Sequence, residues 1–354
     1  MAAGREPVAT GHHPPLAIVG LDEGAMRGAR ERQAQLVKPA GALGRLEELA
    51  VWLAGVSGSA RPYVRARVVV AAADHGVAEE RVSAYPQAVT RQMLGVFLSG
   101  RGAVSTLARE TGAEVMVVDA GVAGQPLDGV SWVGLRPSRN LAVEPALTVE
   151  EVAMAVDAGR SLAAQAAADG VTVLVGGEMG IANTTPATCL AAALTGRPAA
   201  RLVGPGTGVD ATGLERKRAV VERALMLHGD GLRGPLGALR RVGGGELAVL
   251  CGLALGAGEH GLGFVCDGVI ATAGAAVAAA LEPALLPRLL AGHRSPEPAH
   301  AALLEHLRLE PVLDLGMRLG EGSGATAALA ILRLAAAAHD GMATFADAGV
   351  AGRG

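Results

Sequence analysis

Two stretches of the chain set a carboxylate among glycines: Gly176-Gly177-Glu178-Met179-Gly180 and Gly320-Glu321-Gly322-Ser323-Gly324. The first follows residues 171–175, a β-branched apolar run short enough to be a buried strand. Its glycines allow a sharp turn and close backbone approach. Asn183, Thr184 and Thr185 then offer helix N-caps, and Pro186 fits the first position of a helix that Gly196 and Pro198 stop. A strand, a glycine turn and a helix start with free N–H groups make an anion site, with Glu178 inside it. Glu321 precedes a helix expected to start near Ala325, with Ser323 as its cap. A helix N-terminus favours an ionised carboxylate, and a partly enclosed carboxylate can take a proton from a substrate N–H. Either glutamate can instead serve only to steady a helix start, and spacing alone favours that plainer role for Glu321.

A third glycine loop, Gly204-Pro205-Gly206-Thr207-Gly208, leads into a helix expected from about Thr212 to His228, with Lys217 in its first turns. Backbone N–H groups, Thr207 and Lys217 suit a single phosphate. The loop lacks the terminal Gly-Lys-Ser/Thr of a nucleotide triphosphate loop, and no GxGxxG follows the first strand, which counts against ATP hydrolysis and dinucleotide redox chemistry. Asp74 and His75 end a second apolar run, residues 66–73, where open parallel sheets place ligands. A turn cap and a packed imidazole explain them equally well. No metal site is expected: His12 and His13 sit near the start, and His293 and His300 lie on a polar segment without zinc spacing. Cys189, Cys251 and Cys266 stand in apolar contexts without a CxxC pair, as buried thiols of a reducing cytoplasm do.

Elements able to position these residues alternate along the chain. Strands are expected at 114–118, 131–135 and 263–266 besides those above, and 201–203 reads as one more. Helices are expected at 89–98, from 149 to about 169 behind a Thr148/Glu151 capping box, and at 245–255. Repeated strand–helix units argue for a parallel α/β sheet with right-handed crossovers. The helical ends are expected to pack together, giving a flexible tail over 1–16, a small helical domain from 17–60 with 300–354, and a large α/β domain over 61–299. Lys38 and Arg45 read as solvated charges.

The 51 glycines among 354 residues are about twice the usual share, in keeping with backbone-lined sites. Thirty-one basic against 34 acidic residues, with three Phe, two Tyr and two Trp, argue against a nucleic-acid partner. The Ala-rich stretches 270–285 and 326–338 carry Glu282 and Arg333 and read as buried helices rather than membrane spans.

Taken in order, KPAGALGRLE at 38–47, ADHGV at 73–77, SAYPQAVT at 83–90, VVDAGV at 117–122, GGEMGIANTT at 176–185, VGPGTGVD at 203–210, GHRSPEP at 292–298 and LDLGMRLGEGSGA at 313–325 resemble the nicotinate-nucleotide–dimethylbenzimidazole phosphoribosyltransferase family. The resemblance runs nearly end to end. It implies a Rossmann-like parallel α/β domain, a small helical domain built from both chain ends, and a homodimer. It implies transfer of the phosphoribosyl group of nicotinate mononucleotide to 5,6-dimethylbenzimidazole, with no metal and no cofactor. It assigns Glu321 as general base and gives Glu178 a supporting role. Gly176, Gly177, Gly206, Thr207, Gly208 and Lys217 would bind phosphate, and Ser83, Tyr85 and Gln92 would form the base pocket. The chain departs from the family pattern at Ala42 (usually Ser), Ala182 (usually Gly) and Pro137-Ser138 (usually Gly-Thr). A left-handed backbone at Ala182 would be strained. Two alternatives stay open: transfer to another base such as adenine, and a non-catalytic nucleotide-binding protein, against which the two glutamates argue.

Overall fold

The computed structural model describes residues 16–206 and 208–351. The expected tail, apart from Leu16, lies outside the described residues, as do His12, His13 and Thr207. Among the described residues the sheet has seven strands: β1 Ala66–Ala72, β2 Glu114–Asp119, β3 Ser131–Trp132, β4 Val173–Met179, β5 Gly263–Cys266, β6 Leu289–His293 and β7 Pro311–Leu313. Their order is β3-β2-β1-β4-β5-β6-β7, and every pairing is parallel. This is the expected Rossmann-like α/β architecture. The strand order reverses between β1 and β4, and a crevice beyond the carboxyl ends of such a strand pair is where open parallel sheets hold ligands.

The helices are α1 Glu23–Gln35, α2 Arg45–Ser57, α3 Ala88–Leu98, α4 Ala103–Thr111, α5 Val149–Ala168, α6 Thr184–Thr195, α7 Ala211–His228, α8 Pro235–Val242, α9 Gly245–Glu259, α10 Val269–Leu281, α11 Pro298–Leu307, α12 Ser323–Gly341 and the single turn α13 Phe345–Ala348. Successive strand residues feed opposite faces of the sheet. Val69, Leu174 and Phe264 join the core under α5, α6, α9 and α10. Val68, Val70, Val175 and Val265 join the core under α2, α4 and α12. The buried, β-branched sequence of β1 follows from this cover on both sides.

Helices from the two chain ends meet. Arg32 Nε donates to the His339 carbonyl at 2.8 Å, and Gln33 Nε2 lies 2.8 Å from His339 Nδ1. Leu53 and Leu329 share the β1–β4 core, so the end helices form part of the layer over the sheet. Lys38 and Arg45 depart from expectation: each is ion-paired at 2.8 Å, Lys38 with Glu47 and Arg45 with Glu310. Among the described residues no helix is long and apolar enough to cross a membrane.

Several local expectations are corrected. β4 runs on through Gly176, Gly177 and Glu178 to Met179, where the glycines had suggested a turn. Pairing with β1 on one side and β5 on the other overrides the weak strand propensity of glycine. Residues 199–201 form a short 3₁₀ turn, so the Gly204 loop does not follow a strand. β6 and β7 were hidden behind a segment read as polar or helical. Asn183 occupies the N-cap position of α6 without a capping side-chain bond, and Pro186 is the helix's third residue.

Ala182 is left-handed, at φ +76°, within the β4–α6 connection. A Cβ there costs roughly 1–2 kcal/mol, part of which glycine's extra unfolded-state entropy offsets. Ala182→Gly is therefore expected to stabilise the protein by about 0.5–1 kcal/mol, read as a higher midpoint in urea unfolding. A lower midpoint would mean that the methyl group's packing outweighs the strain.

Candidate active site

Glu178 is the next-to-last residue of β4, beside the end of β1. Its side chain is 7% exposed. Asn183 Nδ2 donates a short hydrogen bond to Glu178 Oε2, which is why Asn183 does not cap α6. Burial pushes the Glu178 carboxyl up to about 8, and the negative charges of Asp267, Glu246 and Glu321 act in the same direction while Asn183 opposes them. Its protonated form is thereby favoured.

Glu321 arrives from the far end of the sequence. Its backbone is left-handed at φ +64°, between Gly320 at +90° and Gly322 at +84°. The Glu321 amide donates to the Glu178 carbonyl at 3.2 Å. The two segments interlock where side chains are missing. A Cβ at Gly177 would fall 2.5 Å from the Glu321 carbonyl oxygen, and one at Gly320 would fall 2.3 Å from Glu178 Oε1. The Glu321 carboxylate reaches the first turn of α4, where Oε2 accepts from the Val104 amide at 3.3 Å. Burial raises its proton affinity, the amides of Val104 and Ala103 pull it back, and the charge of Asp267 raises it again. Glu321 thus caps α4, whose own N-cap is the side-chain-free Gly102. Ser323 is the first residue of α12 rather than its cap.

Lys217 lies fully buried on α7, its Nζ donating to Thr184 Oγ1 at 2.8 Å and to the Gly204 carbonyl at 2.9 Å. Burial brings it down to about 8, against the pull of Glu297 and Cys189. The loop beside it is internally bonded. The Gly206 amide donates to Glu297 Oε1 at 2.9 Å, and the Gly208 amide donates to the Pro205 carbonyl at 3.1 Å. Gly176 and Gly177 are strand residues packed on Phe264 and on the Glu321 backbone, so they do not form the anticipated anion turn.

Asp74 and His75 hold the scaffold together. Asp74 Oδ2 accepts from the Ala123 amide at 2.8 Å, and His75 Nε2 lies 2.7 Å from Glu246 Oε1 in a fully buried pair. Ser138 Oγ stands 3.4 Å from His75 Nδ1. Ser83 is half-buried, while Tyr85 and Gln92 face solvent on the segment leading into and along α3. Thr90 of that helix ties the segment to the site by accepting from the Ile181 amide at 3.1 Å. Ala42 is exposed in a turn.

Sequence reasoning missed Asp267, His293, Glu297 and Glu246. His293 and His300, on a segment of polar composition, are buried, and His300 is lowered to about 4 by burial and by its neighbour His293. The recoverable signal was position: Asp267 directly follows β5, and His293 ends β6.

A parallel sheet with two interlocked glutamates at its switch point has the architecture of an α/β enzyme. A family model described as "Phosphoribosyltransferase" matches residues 18–350. The nicotinate-nucleotide–dimethylbenzimidazole phosphoribosyltransferase of Azotobacter vinelandii is 51% identical over 340 residues, covering 94% of this chain and 96% of that one. The Pseudomonas putida protein of the same name is 49% identical over 337 residues, with 94% and 96% covered. The crystal structure of the Thermus thermophilus nicotinate-nucleotide–dimethylbenzimidazole phosphoribosyltransferase superimposes with a TM-score of 0.88 at 47% identity, covering 94% of this chain and 100% of that one. The chain belongs to the nicotinate-nucleotide–dimethylbenzimidazole phosphoribosyltransferase family.

The capping contact of Glu321 separates two substitutions. Glu321→Ala removes the acceptor for α4 and is expected to cost about 1 kcal/mol. Glu321→Gln keeps an oxygen for the Val104 amide and should stay within about 0.5 kcal/mol of the parent. Urea unfolding of both variants checks this, and equal stabilities would remove the capping role.

Proposed function

We propose that the protein transfers the 5-phosphoribosyl group of nicotinate mononucleotide to 5,6-dimethylbenzimidazole, giving α-ribazole 5'-phosphate and nicotinate for the lower ligand of cobalamin. The likeness to relatives of that name along 94% of the chain supports this. The observation that carries the chemistry is geometric: the Glu321 backbone is hydrogen-bonded to that of Glu178, and the Glu321 carboxylate is anchored on the Val104 amide. Two adjacent buried carboxylates cannot both ionise cheaply. With burial favouring the protonated form of Glu178, Glu321 serves as the base.

In this reading one ring nitrogen of the benzimidazole attacks C1' from the face opposite nicotinate. The new N–C1' bond forms as the bond to the pyridine nitrogen breaks, and the electron pair leaves with nicotinate. The other ring N–H becomes acidic and gives its proton to Glu321. The β-linked donor thereby yields an α-linked product. Nicotinate leaves as an anion and needs no acid. Ser83, Tyr85 and Gln92 orient the flat ring. The phosphate sits against Lys217 and the Gly206–Gly208 loop with Thr207, and its arrival displaces Glu297 from the Gly206 amide. The resemblance also supports a homodimer, and the three buried free thiols fit the cytoplasm. Light scattering is expected to give about twice the 35.4 kDa chain mass.

The purified protein is to be incubated with nicotinate mononucleotide and a panel of bases, following nicotinate release and product mass. Base-dependent release with a ribazole phosphate product is expected. No release with any base would leave a nucleotide-binding protein, and release with adenine alone would reassign the acceptor. Glu321→Gln should lower turnover roughly 10²-fold or more, and near-parental turnover would remove Glu321 as the base. Lys217 carries its charge below about 8, so the nucleotide KM should rise as the pH passes above that value. Lys217→Met should raise KM about 10–100-fold at pH 7 and flatten this dependence. A KM unchanged by the substitution would move the phosphate elsewhere.

A further inference from the structure

α12 begins directly after the glutamate loop, and its N-cap Gly322 offers no side chain. Its first turn is held from elsewhere. Asp267, just past the end of β5, accepts from the Ala325 amide through Oδ1 at 2.8 Å. His293, the last residue of β6, brings Nε2 to 3.4 Å from the same oxygen. Asp267 is 1% exposed and His293 3%. The imidazole lies so close to the turn that a Cβ on Gly324 would fall 2.2 Å from His293 Cδ2. A Cβ on Gly292 would fall 2.5 Å from the Ala325 Cα, so the ends of β6 and α12 are in backbone contact. The start of α12 is therefore pinned by one hydrogen bond and by packing on two sides.

That pin sets the place of Glu321. The glutamate is a non-glycine residue in left-handed backbone, a conformation that persists only where the surroundings over-determine it. On its upstream side the loop is tied to β4 through the Glu178 carbonyl. On its downstream side the tie is Asp267.

We propose that Asp267, backed by His293, is the positioning residue of the reaction, fixing the start of α12 and so the stance of the Glu321 carboxylate. The inference rests on the reading of Glu321 as base. The pair touches no reacting atom. Its effect on Glu321 runs through the loop and through charge, since Asp267 also favours the protonated form of Glu321. The titratable groups around this carboxylate are Asp267 from the end of β5 and Glu178 from β4, with His293 behind the first and Glu246 acting on the second.

The test compares Asp267→Ala, Asp267→Asn and Glu321→Gln in the full chain, reading kcat, the KM of each substrate and the pH profile of kcat. Asp267→Ala is expected to lower kcat about 10²-fold, the scale of a misplaced catalytic group, with KM for nicotinate mononucleotide within about threefold of the parent, as expected when ground-state binding is intact. Asp267→Asn keeps an oxygen for the Ala325 amide and should recover most of that loss. Its acid limb should move to lower pH, because the charge that raises the proton affinity of Glu321 is gone. A parental kcat in Asp267→Ala, or an unmoved limb in Asp267→Asn, overturns the proposal. If the alanine variant does not fold, the limb of the asparagine variant decides alone. Glu321→Gln separates the two levels. Parental turnover there defeats the base reading and this proposal with it. A lost limb there, beside an unmoved limb in Asp267→Asn, defeats the positioning role only.

Discussion

The structure depends on keeping two carboxylates together where water is scarce. Glu178 and Glu321 come from segments far apart in the chain, and their backbones are hydrogen-bonded to each other. In a buried site such a pair is tolerable only if one member stays neutral or is strongly solvated by the protein. The environment treats them differently. Glu178 receives one side-chain donor and the field of three other acids. Glu321 receives backbone amides at a helix N-terminus, which favour negative charge. A nearly symmetric pair of residues is thereby given unlike surroundings.

The sheet supplies the place for this pair. Because the strand order reverses between β1 and β4, the helices that follow these strands leave on opposite sides and open a crevice. Glu178 stands at its edge on β4. Glu321 enters from the far flank, because α12 lies across the sheet face that holds Val68, Val175 and Val265. The same layer takes α2 from the other end of the chain. Packing of the two chain ends is thus connected to the site through a single core.

Much of this was legible in the sequence, because the signals were local. The apolar run of β1, the Thr148–Glu151 capping box of α5, and Gly196 ending α6 in a left-handed conformation are each a few residues of physics. What was not legible depends on partners distant in the chain. Gly176 and Gly177 carry a turn-like composition, yet they lie in a central strand because Phe264 and the Glu321 backbone leave no room for a side chain. Lys38 looks solvated until Glu47 folds back onto it. Asn183 looks like an N-cap until Glu178 claims its amide. His293 looks like part of a polar segment until β6 carries it under α12. In each case the local reading was chemically sound, and a long-range contact outbid it.

One economy recurs among these contacts. α4 and α12 both begin after glycines without capping side chains, and remote carboxylates supply the caps: Glu321 for α4 and Asp267 for α12. Glycine at the cap leaves room for close crossings: a Cβ on Gly322 would fall 3.0 Å from the Gly177 Cα, and one on Gly102 would fall 2.7 Å from Phe97 Cδ1. The cap must then come from another element, and at the head of a parallel sheet the residues within reach are those at strand ends. A carboxylate placed there to take helix amides is already desolvated, already oriented and already at the crevice. Those are also the requirements for a base. Architecture thus offers chemistry side chains that are already fixed, and a substitution that removes one of these carboxylates takes away the cap of a helix.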